Sequence, residues 1–159
     1  MATRVPKLGA RGEGWVALQL VLFWLIATAG YVDLKDQQNL VGVRELAGLL
    51  VGAAGVAIAV GSALALRHAL TPFPKPVTGN ELVQSGPYRR VRHPIYSGVV
   101  LAALGWSLLS GAWVALVLSV ILAVLFDAKS RREEAWLSEA HPEYAEYRRN
   151  TRRFIPGVY

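Results

Sequence analysis

The chain has 159 residues, a formal net charge of +6, no cysteine, and an apolar share of 53%. That share exceeds the roughly 45–50% of ordinary soluble domains, and long uncharged runs separate the charged segments. This pattern excludes a soluble enzyme, a disordered chain and a disulfide-built secreted module, and the lack of cysteine excludes thiol nucleophiles, iron–sulfur clusters and cysteine-bound zinc.

Three uncharged runs predict membrane helices. Trp15–Val32 has 18 residues and Leu46–Leu66 has 21, and a hydrocarbon core takes roughly 20 helical residues to cross. Ile95–Phe126 has 32 residues, too many for one span and slightly few for two. Ser110-Gly111 near its middle predicts a break, so we expect a short hairpin whose second helix continues into the charged tail.

The positions of the cations predict the topology. With a hairpin, the N-terminus, the loop Arg67–Pro94 and the tail from Asp127 share one side of the membrane and carry fifteen of the seventeen Lys and Arg residues. Such an excess marks the cytoplasmic side. We therefore predict an all-α integral membrane protein of the inner or plasma membrane. It has about four transmembrane helices, a short C-terminal hairpin, a cytoplasmic helical tail and both termini in the cytoplasm.

We predict a single membrane domain over residues 1–159, with a two-span region at 1–78 and a loop, hairpin and tail at 79–159. An alternative for residues 1–29 is a cleavable signal peptide, because three cations and an apolar run precede Ala27-Thr28-Ala29. The downstream topology is the same in both cases.

The second predicted span carries a stripe of small residues at helical spacing: Gly48, Gly52, Gly55, Ala59 and Ser62. Small residues let helix backbones approach closely in lipid. The stripe therefore predicts packing either against another helix of the same chain or, as the alternative, against a second copy in a homodimer through Gly48, Gly52 and Gly55.

Two polar segments flank the predicted hairpin. Pro94 suits the first position of a helix, which leaves His93 at the positive end of the helix dipole, where a carboxylate is favoured. The alternatives are that the neighbouring arginines bind lipid headgroups and that His93 is a structural interfacial residue. In the tail, Lys129 and Glu133 stand at the i, i+4 spacing of a solvated ion pair. No metal site is expected, because no second histidine lies within ligand spacing of His93.

Six short patterns in order resemble the superfamily of isoprenylcysteine carboxyl methyltransferases and phospholipid methyltransferases. They are Gly86-x-Tyr88, Arg92-His93-Pro94-x-Tyr96-x-Gly98, a helical hairpin, Arg131-x-Glu133-Glu134, Tyr144-x-x-Tyr147 and Arg153-x-Ile155-Pro156. The resemblance covers about Gly79–Tyr159, half of the chain, and the first 78 residues add two generic spans.

The resemblance implies a membrane methyltransferase that uses S-adenosylmethionine (SAM) as methyl donor. It implies that the donor pocket is lined by Asn80, Glu81, Leu82, Val83 and Tyr88, by His93, Pro94, Ile95 and Tyr96, and by Glu133 or Glu134. It also implies that Arg131 or Arg132 faces the methyl acceptor, so that Arg131, Arg132, Glu133 and Glu134 are the candidate catalytic residues. The implied acceptor is a carboxylate, as in isoprenylcysteine, or another lipophilic small molecule or lipid.

Two other functions compete with this one. A sterol-type membrane reductase would use NADPH and shares a related arginine-histidine-proline pattern, but four spans are few for it. A non-enzymatic scaffold would dimerise through the small-residue stripe and bind membrane lipids. Nucleic acid is not an expected partner, because the arginines lie beside predicted spans and have no aromatic platform on which bases could stack.

Overall fold

The computed structural model describes residues 5–35, 42–76, 79 and 81–159. These residues form five α-helices, which are α1 (Glu13–Lys35), α2 (Val43–Leu66), α3 (Pro94–Ser110), α4 (Trp113–Ala140) and α5 (Tyr144–Asn150). Short 3-10 turns follow α2 at Arg67–Ala69 and precede α3 at Gly86–Arg89. Within the described ranges there is no strand, and only an isolated bridge joins Val91 to Arg152. The all-α prediction is confirmed.

Three of these helices, α1, α2 and α4, are long and apolar enough to cross a membrane. The fourth apolar helix, α3, has 17 residues and is shorter than a usual span. Large apolar side chains point outward along the three long helices, as at Trp24, Leu64 and Val124, each about two-thirds exposed. Since water disfavours such surfaces and lipid does not, this exterior is that of an integral membrane protein.

The predicted break in the third apolar run falls where α3 meets α4. Helix α3 ends at Ser110, and Gly111 adopts the left-handed conformation with φ of 68°. Its backbone N–H donates to the carbonyl of Leu108 at 3.2 Å. Glycine takes this conformation without the steric cost of a side chain. The chain therefore reverses within two residues, and α4 begins at Trp113 and continues past Asp127, as the sequence predicted.

The small-residue stripe of α2 packs against α3. A Cβ atom added at Gly48 or Gly55 would overlap the backbone of α3, and one added at Gly98 or Gly105 would overlap the backbone of α2. Packing within the chain is thus confirmed. Helix α3 covers the face of α2 that the homodimer alternative would use. We call this contact the glycine seam.

On the other side of the hairpin, α1 packs against α3 and α4 around Ile26, Leu122 and Phe126. The indole of Trp106 in α3 lies over Gly30 and donates to the Ile26 carbonyl at 3.1 Å. This core holds α1 and the hairpin together, so that the segments before α1, after α2 and before α3 meet at one end of the bundle.

We call this end the site end. The Arg11 guanidinium lies 4.3 Å from the ring centre of Phe73, and the backbone N–H groups of Arg92 and His93 donate to the carbonyls of Arg152 and Arg153 at 2.8 and 3.0 Å. The C-terminal segment, residues 151–159, is therefore hydrogen-bonded through Arg152 and Arg153 to the loop before α3.

Candidate active site

A cavity of about 390 Å³ opens at the site end. Its wall is formed by the segment after α2, the loop before α3, and the facing sides of α1, α3, α4 and α5. Among its lining residues are eight of those that the family resemblance implied for the donor pocket, namely Glu81, Leu82, Val83, Tyr88, His93, Ile95, Tyr96 and Glu133. The two segments that flank the hairpin in sequence therefore meet around one space.

Three aromatic rings form one wall of this cavity. The rings of His93 and Tyr96 are parallel with centres 5.4 Å apart, and Tyr96 in turn stacks on Phe126 at 4.5 Å. The Tyr96 hydroxyl donates to Glu133 Oε2 at 2.8 Å, and the same oxygen lies 3.8 Å from His93 Nδ1. Glu133 is thus held in place while about a quarter of its side chain stays accessible from the cavity.

Glu134, the next residue, lies outside the cavity in a cluster of cations that we call the Glu134 network. Its carboxylate accepts from Arg92 Nε at 2.9 Å, from Arg153 Nη2 at 3.1 Å and from Arg153 Nε at 3.2 Å. His93 Nε2 lies 3.3 Å away. Only 4% of the Glu134 side chain is exposed. Both carboxylate oxygens of Glu134 therefore already accept hydrogen bonds from side chains of the protein itself.

The two glutamates differ because successive residues of a helix are rotated by about 100°. Glu133 falls on the face of α4 that carries Phe126, Lys129 and Leu137, which all line the cavity. Glu134 falls on the next face, where Arg92 from the loop and Arg153 from the C-terminal segment meet it. The Arg92 side chain also donates to the Thr151 carbonyl at 2.6 Å and so ties the C-terminal segment to the loop.

The remaining predicted site residues lie elsewhere. Arg131 donates to Asp127 Oδ2 at 2.8 Å and to the Tyr159 hydroxyl at 3.0 Å, about half exposed and on another face of α4. The Arg132 guanidinium lies 4.1 Å from the Trp136 ring centre. Pro94 is buried at the start of α3 without lining the cavity, and Asn80 lies outside the described residues.

The sequence analysis missed several residues of the cavity wall. Lys129 was expected as a solvated partner of Glu133, but it is 1% exposed and donates to Gln19 Oε1 at 2.7 Å and to the Pro72 carbonyl at 3.1 Å. That expectation was wrong, because it took α4 as a free helix, whereas α1 and the segment after α2 cover this face. The sequence signal for burial is the i, i+3 spacing from Phe126 to Lys129.

Two tyrosines of α5 close the cavity at its polar end. The Tyr147 hydroxyl donates to the Tyr88 carbonyl at 2.7 Å, whereas the buried Tyr144 hydroxyl has no hydrogen-bond partner in the described part of the chain. Burial raises the pKa of Tyr147 to about 12. Burial, helped by the charge of Glu133, also raises the pKa of Tyr88 well above its usual range. Both phenols are therefore neutral hydrogen-bond donors at neutral pH.

Among residues 5–35, 42–76, 79 and 81–159, no group of three or more His, Asp or Glu side chains is placed to hold a metal ion. The charged side chains that line the cavity are the carboxylates Glu81 and Glu133 and the cations Arg92 and Lys129, of which Arg92 is paired with Glu134. Such a set can bind a ligand that carries both a positive and a negative group.

Comparison with known protein families gives a match over most of the chain. The family model for phospholipid methyltransferase matches residues 43–144, well over half of the chain, from the start of α2 to the start of α5. The matched stretch contains the glycine seam, the hairpin and both glutamates.

Individual relatives match over about half of the chain. The cobalt-zinc-cadmium resistance protein CzcN of Cupriavidus metallidurans is 41% identical over 80 residues, which are 50% of this chain and 37% of that protein. The nickel-cobalt-cadmium resistance protein NccN of Alcaligenes xylosoxydans xylosoxydans is 36% identical over 49% of this chain and 37% of its own length. A protein-S-isoprenylcysteine O-methyltransferase of Schizosaccharomyces pombe is 39% identical over 48% of this chain and 34% of its own. The chain thus spans little more than a third of the curated relatives it matches.

Proposed function

The chain belongs to the phospholipid methyltransferase family, and from this premise we propose that it transfers a methyl group from SAM to a lipophilic acceptor in the cavity at the site end. The observation that carries the proposal is the cavity itself, in which the loop before α3 and the far end of α4 face each other across one space.

The cavity fits the donor in size and chemistry. Its volume of about 390 Å³ lies within the roughly 300–1,000 Å³ of small-molecule sites. The buried Tyr144 hydroxyl offers an unused hydrogen-bonding group, as expected where a polar ligand completes the wall. Carboxylates and aromatic faces attract cations, so Glu133, Tyr96 and Tyr88 suit a sulfonium.

We assign the predicted residues as follows. Glu81, Leu82, Val83 and Tyr88 hold the donor from the loop side, and His93, Ile95 and Tyr96 hold it from the start of α3. Glu133, of the two glutamates, faces the donor's positive charge. Glu134 acts indirectly, by fixing Arg92 in the cavity wall and Arg153 of the C-terminal segment behind it. Arg131 and Arg132 have no assigned contact with either substrate.

The proposed reaction depends mainly on positioning. When bound, SAM supplies a methyl group on a sulfonium sulfur, to which the acceptor's electron pair bonds while the carbon–sulfur bond breaks and its electrons stay on sulfur. An acceptor that is already an anion needs no general base. Tyr88 is unsuited to that role because its raised pKa keeps the phenol protonated.

The acceptor's route is proposed from the surfaces around the cavity. Its lining near the bundle is apolar, with Leu66, Leu70, Val99 and Phe126, and the outer faces of α1, α2 and α4 are those of a lipid-facing protein. A lipophilic acceptor would enter from the membrane and the polar donor from the opposite side. The excess of cations at the site end favours the cytoplasm as that side.

Calorimetry of S-adenosylhomocysteine binding in detergent tests the proposal. We expect wild-type protein to bind in the micromolar range and Glu133→Gln to bind at least about tenfold more weakly, since a charge-assisted contact is lost. Glu139→Gln, an exposed glutamate on the same helix, is the matched control and should bind as wild type does. Folded wild-type protein that binds no S-adenosylhomocysteine would contradict the proposal, and stabilisation by NADPH alone would favour the reductase.

A labelled methyl-transfer screen then addresses the acceptor. Membrane lipids, prenylcysteine analogues and small thiols are incubated with labelled SAM and protein in detergent. Label should enter a lipophilic product, and Glu133→Gln should lower the yield. Retention of lipid and crosslinked dimers, with no transfer and no nucleoside binding, would support the scaffold alternative.

A further inference from the structure

Lys129 is a buried ammonium group that forms no ion pair with the carboxylates of the described residues, although the charge of Glu133 acts on it at longer range. Its side chain lies in the wall of the cavity with 1% of the residue exposed, and its two hydrogen-bond acceptors, Gln19 Oε1 and the Pro72 carbonyl, are neutral. The ion pairs within 4.0 Å in the described part of the chain do not include Lys129. Buried charges are normally paired, because burial of an uncompensated charge costs several kcal/mol.

The carboxylate on the same face of α4 acts on Lys129 through its charge but forms no ion pair with it. Glu133 lies one turn further along α4, where it accepts the Tyr96 hydroxyl and faces His93. The Lys129 Nζ instead lies 5.2 Å from the ring centre of Tyr96, on the side towards Phe126. A lysine ammonium has three donors, and two are used. The third is available to a ligand.

Lys129 marks the membrane end of the cavity. Phe126, Lys129, Glu133 and Leu137 line the cavity in this order along α4, and they span about 16 Å at 1.5 Å per residue. Phe126 belongs to the apolar core, whereas the other end of the row meets the polar groups of α5. A lipophilic acceptor therefore reaches Lys129 first, and a polar donor reaches Glu133.

We propose that Lys129 binds the reacting carboxylate of a lipophilic acceptor and so selects a carboxylate in preference to an amine. This inference rests on the proposed methyl transfer. A buried ammonium attracts an anion strongly and repels a protonated amine. One carboxylate oxygen accepts from Lys129, and the other is left to attack the methyl carbon. No proton moves in the transfer. The product ester is neutral, so its attraction to Lys129 falls and its release is favoured.

Binding of matched amphiphiles tests this assignment without a known acceptor. Protein in detergent, saturated with S-adenosylhomocysteine, is titrated with two series of equal tail length. One is N-acetyl-S-farnesylcysteine with its methyl ester and carboxamide, and the other is hexadecanoate with its methyl ester and hexadecylamine. Wild-type protein should bind the carboxylate of at least one series about tenfold or more tightly than its neutral ester, and should bind the amine most weakly.

Three variants assign the preference to the side chain. Lys129→Met should reduce the ratio of carboxylate to ester affinity to near one while the affinity for S-adenosylhomocysteine stays within about twofold of wild type. Lys129→Arg should keep most of the preference, since it keeps the charge. Lys75→Met, an exposed lysine of the segment after α2, is the control and should change neither.

Several results would overturn the assignment. They are a wild-type protein with no preference for the carboxylate in either series, a preference that survives in Lys129→Met, or a Lys129→Met variant that loses S-adenosylhomocysteine instead. The last would place the donor's own carboxylate at Lys129. If Lys129→Met does not fold, the assignment is still tested by two measurements, the preference of wild-type protein for the carboxylate over the ester and the same preference in Lys129→Arg. Failure of wild type to bind S-adenosylhomocysteine contradicts the proposed function as a whole and is seen before any amphiphile is added.

Discussion

The Glu134 network and the cavity wall lie side by side, yet they use their charges in opposite ways. In the network, Glu134, Arg92 and Arg153 bind one another and leave almost no exposed surface. In the wall, Glu133, Lys129 and the Tyr144 hydroxyl keep unused bonding capacity. The difference indicates which groups hold the site together and which are left for a ligand. Substitutions in the two regions should therefore change different measurements.

The largest expected effect is on stability in the network. Glu134→Ala leaves the buried Arg92 guanidinium without its carboxylate and takes from Arg153 one of its two carboxylates, Asp127 being the other. It should lower the free energy of unfolding by about 3–5 kcal/mol. Glu133→Ala should cost much less, because its main partner is a single tyrosine hydroxyl. Thermal unfolding in detergent measures both. Equal losses of unfolding free energy in the two variants would contradict the inference that Glu134 is structural and Glu133 is left for a ligand.

A smaller effect separates the two tyrosines of α5. Tyr147→Phe leaves the Tyr88 carbonyl without its donor and should cost about 1–2 kcal/mol of stability. Tyr144→Phe removes a hydroxyl that has no partner in the described residues, so its stability should match wild type. Its affinity for S-adenosylhomocysteine should fall about three- to tenfold. A stable Tyr147→Phe combined with an unstable Tyr144→Phe would contradict this assignment.

The dependence of stability on alkaline pH gives a second test of Tyr147. The folded-state pKa of Tyr147, about 12, lies above the value of about 10 for an exposed tyrosine. The stabilisation of the folded state by the neutral Tyr147 phenol is therefore complete below pH 10. It is lost as the pH rises from 10 towards 12, because this phenol ionises first in the unfolded chain. Melting temperatures at pH 9, 10 and 11 should fall more steeply for wild type than for Tyr147→Phe. Parallel curves would mean that Tyr147 is not the group responsible.

The smallest effect is expected at Arg131, outside both regions. Its i, i+4 pair with Asp127 is solvent-exposed, and such pairs contribute less than about 0.5 kcal/mol. Arg131→Ala should leave both thermal stability and methyl transfer close to wild type. A transfer rate that falls tenfold, with S-adenosylhomocysteine binding unchanged, would instead return Arg131 to the acceptor site that the family resemblance implied.

Much of the fold could be predicted from local patterns. The run lengths indicated the apolar helices, Ser110-Gly111 marked the hairpin turn, and the spacing of Gly48, Gly52 and Gly55 indicated a close helix contact. These features depend on residues near one another in sequence or on a repeat along one helix. The same holds for the start of α3 at Pro94, whose ring is compatible only with a helix's first turn.

The division of work within the site could not be predicted in this way. The different surroundings of Glu133 and Glu134 depend on Arg92, 42 residues away, and on the C-terminal segment. Lys129 looked solvated because its cover comes from Gln19, 110 residues away in the sequence. Such partners are set by how α1 and the C-terminal segment pack, which no spacing within α4 encodes.

The unequal arms of the hairpin have a consequence for how this protein can change. Helix α3 has 17 residues and α4 has 28, so at 1.5 Å per residue α4 projects about 16 Å beyond the start of α3, and that projection starts just after Lys129 and carries Glu133 and Glu134. One residue inserted in α3 would shift its first turn by about 1.5 Å and rotate it by about 100° relative to α4. His93 would then face a different side chain. The number of residues between His93 and Glu133 therefore determines which side chains meet in the site, as do the identities of the two residues.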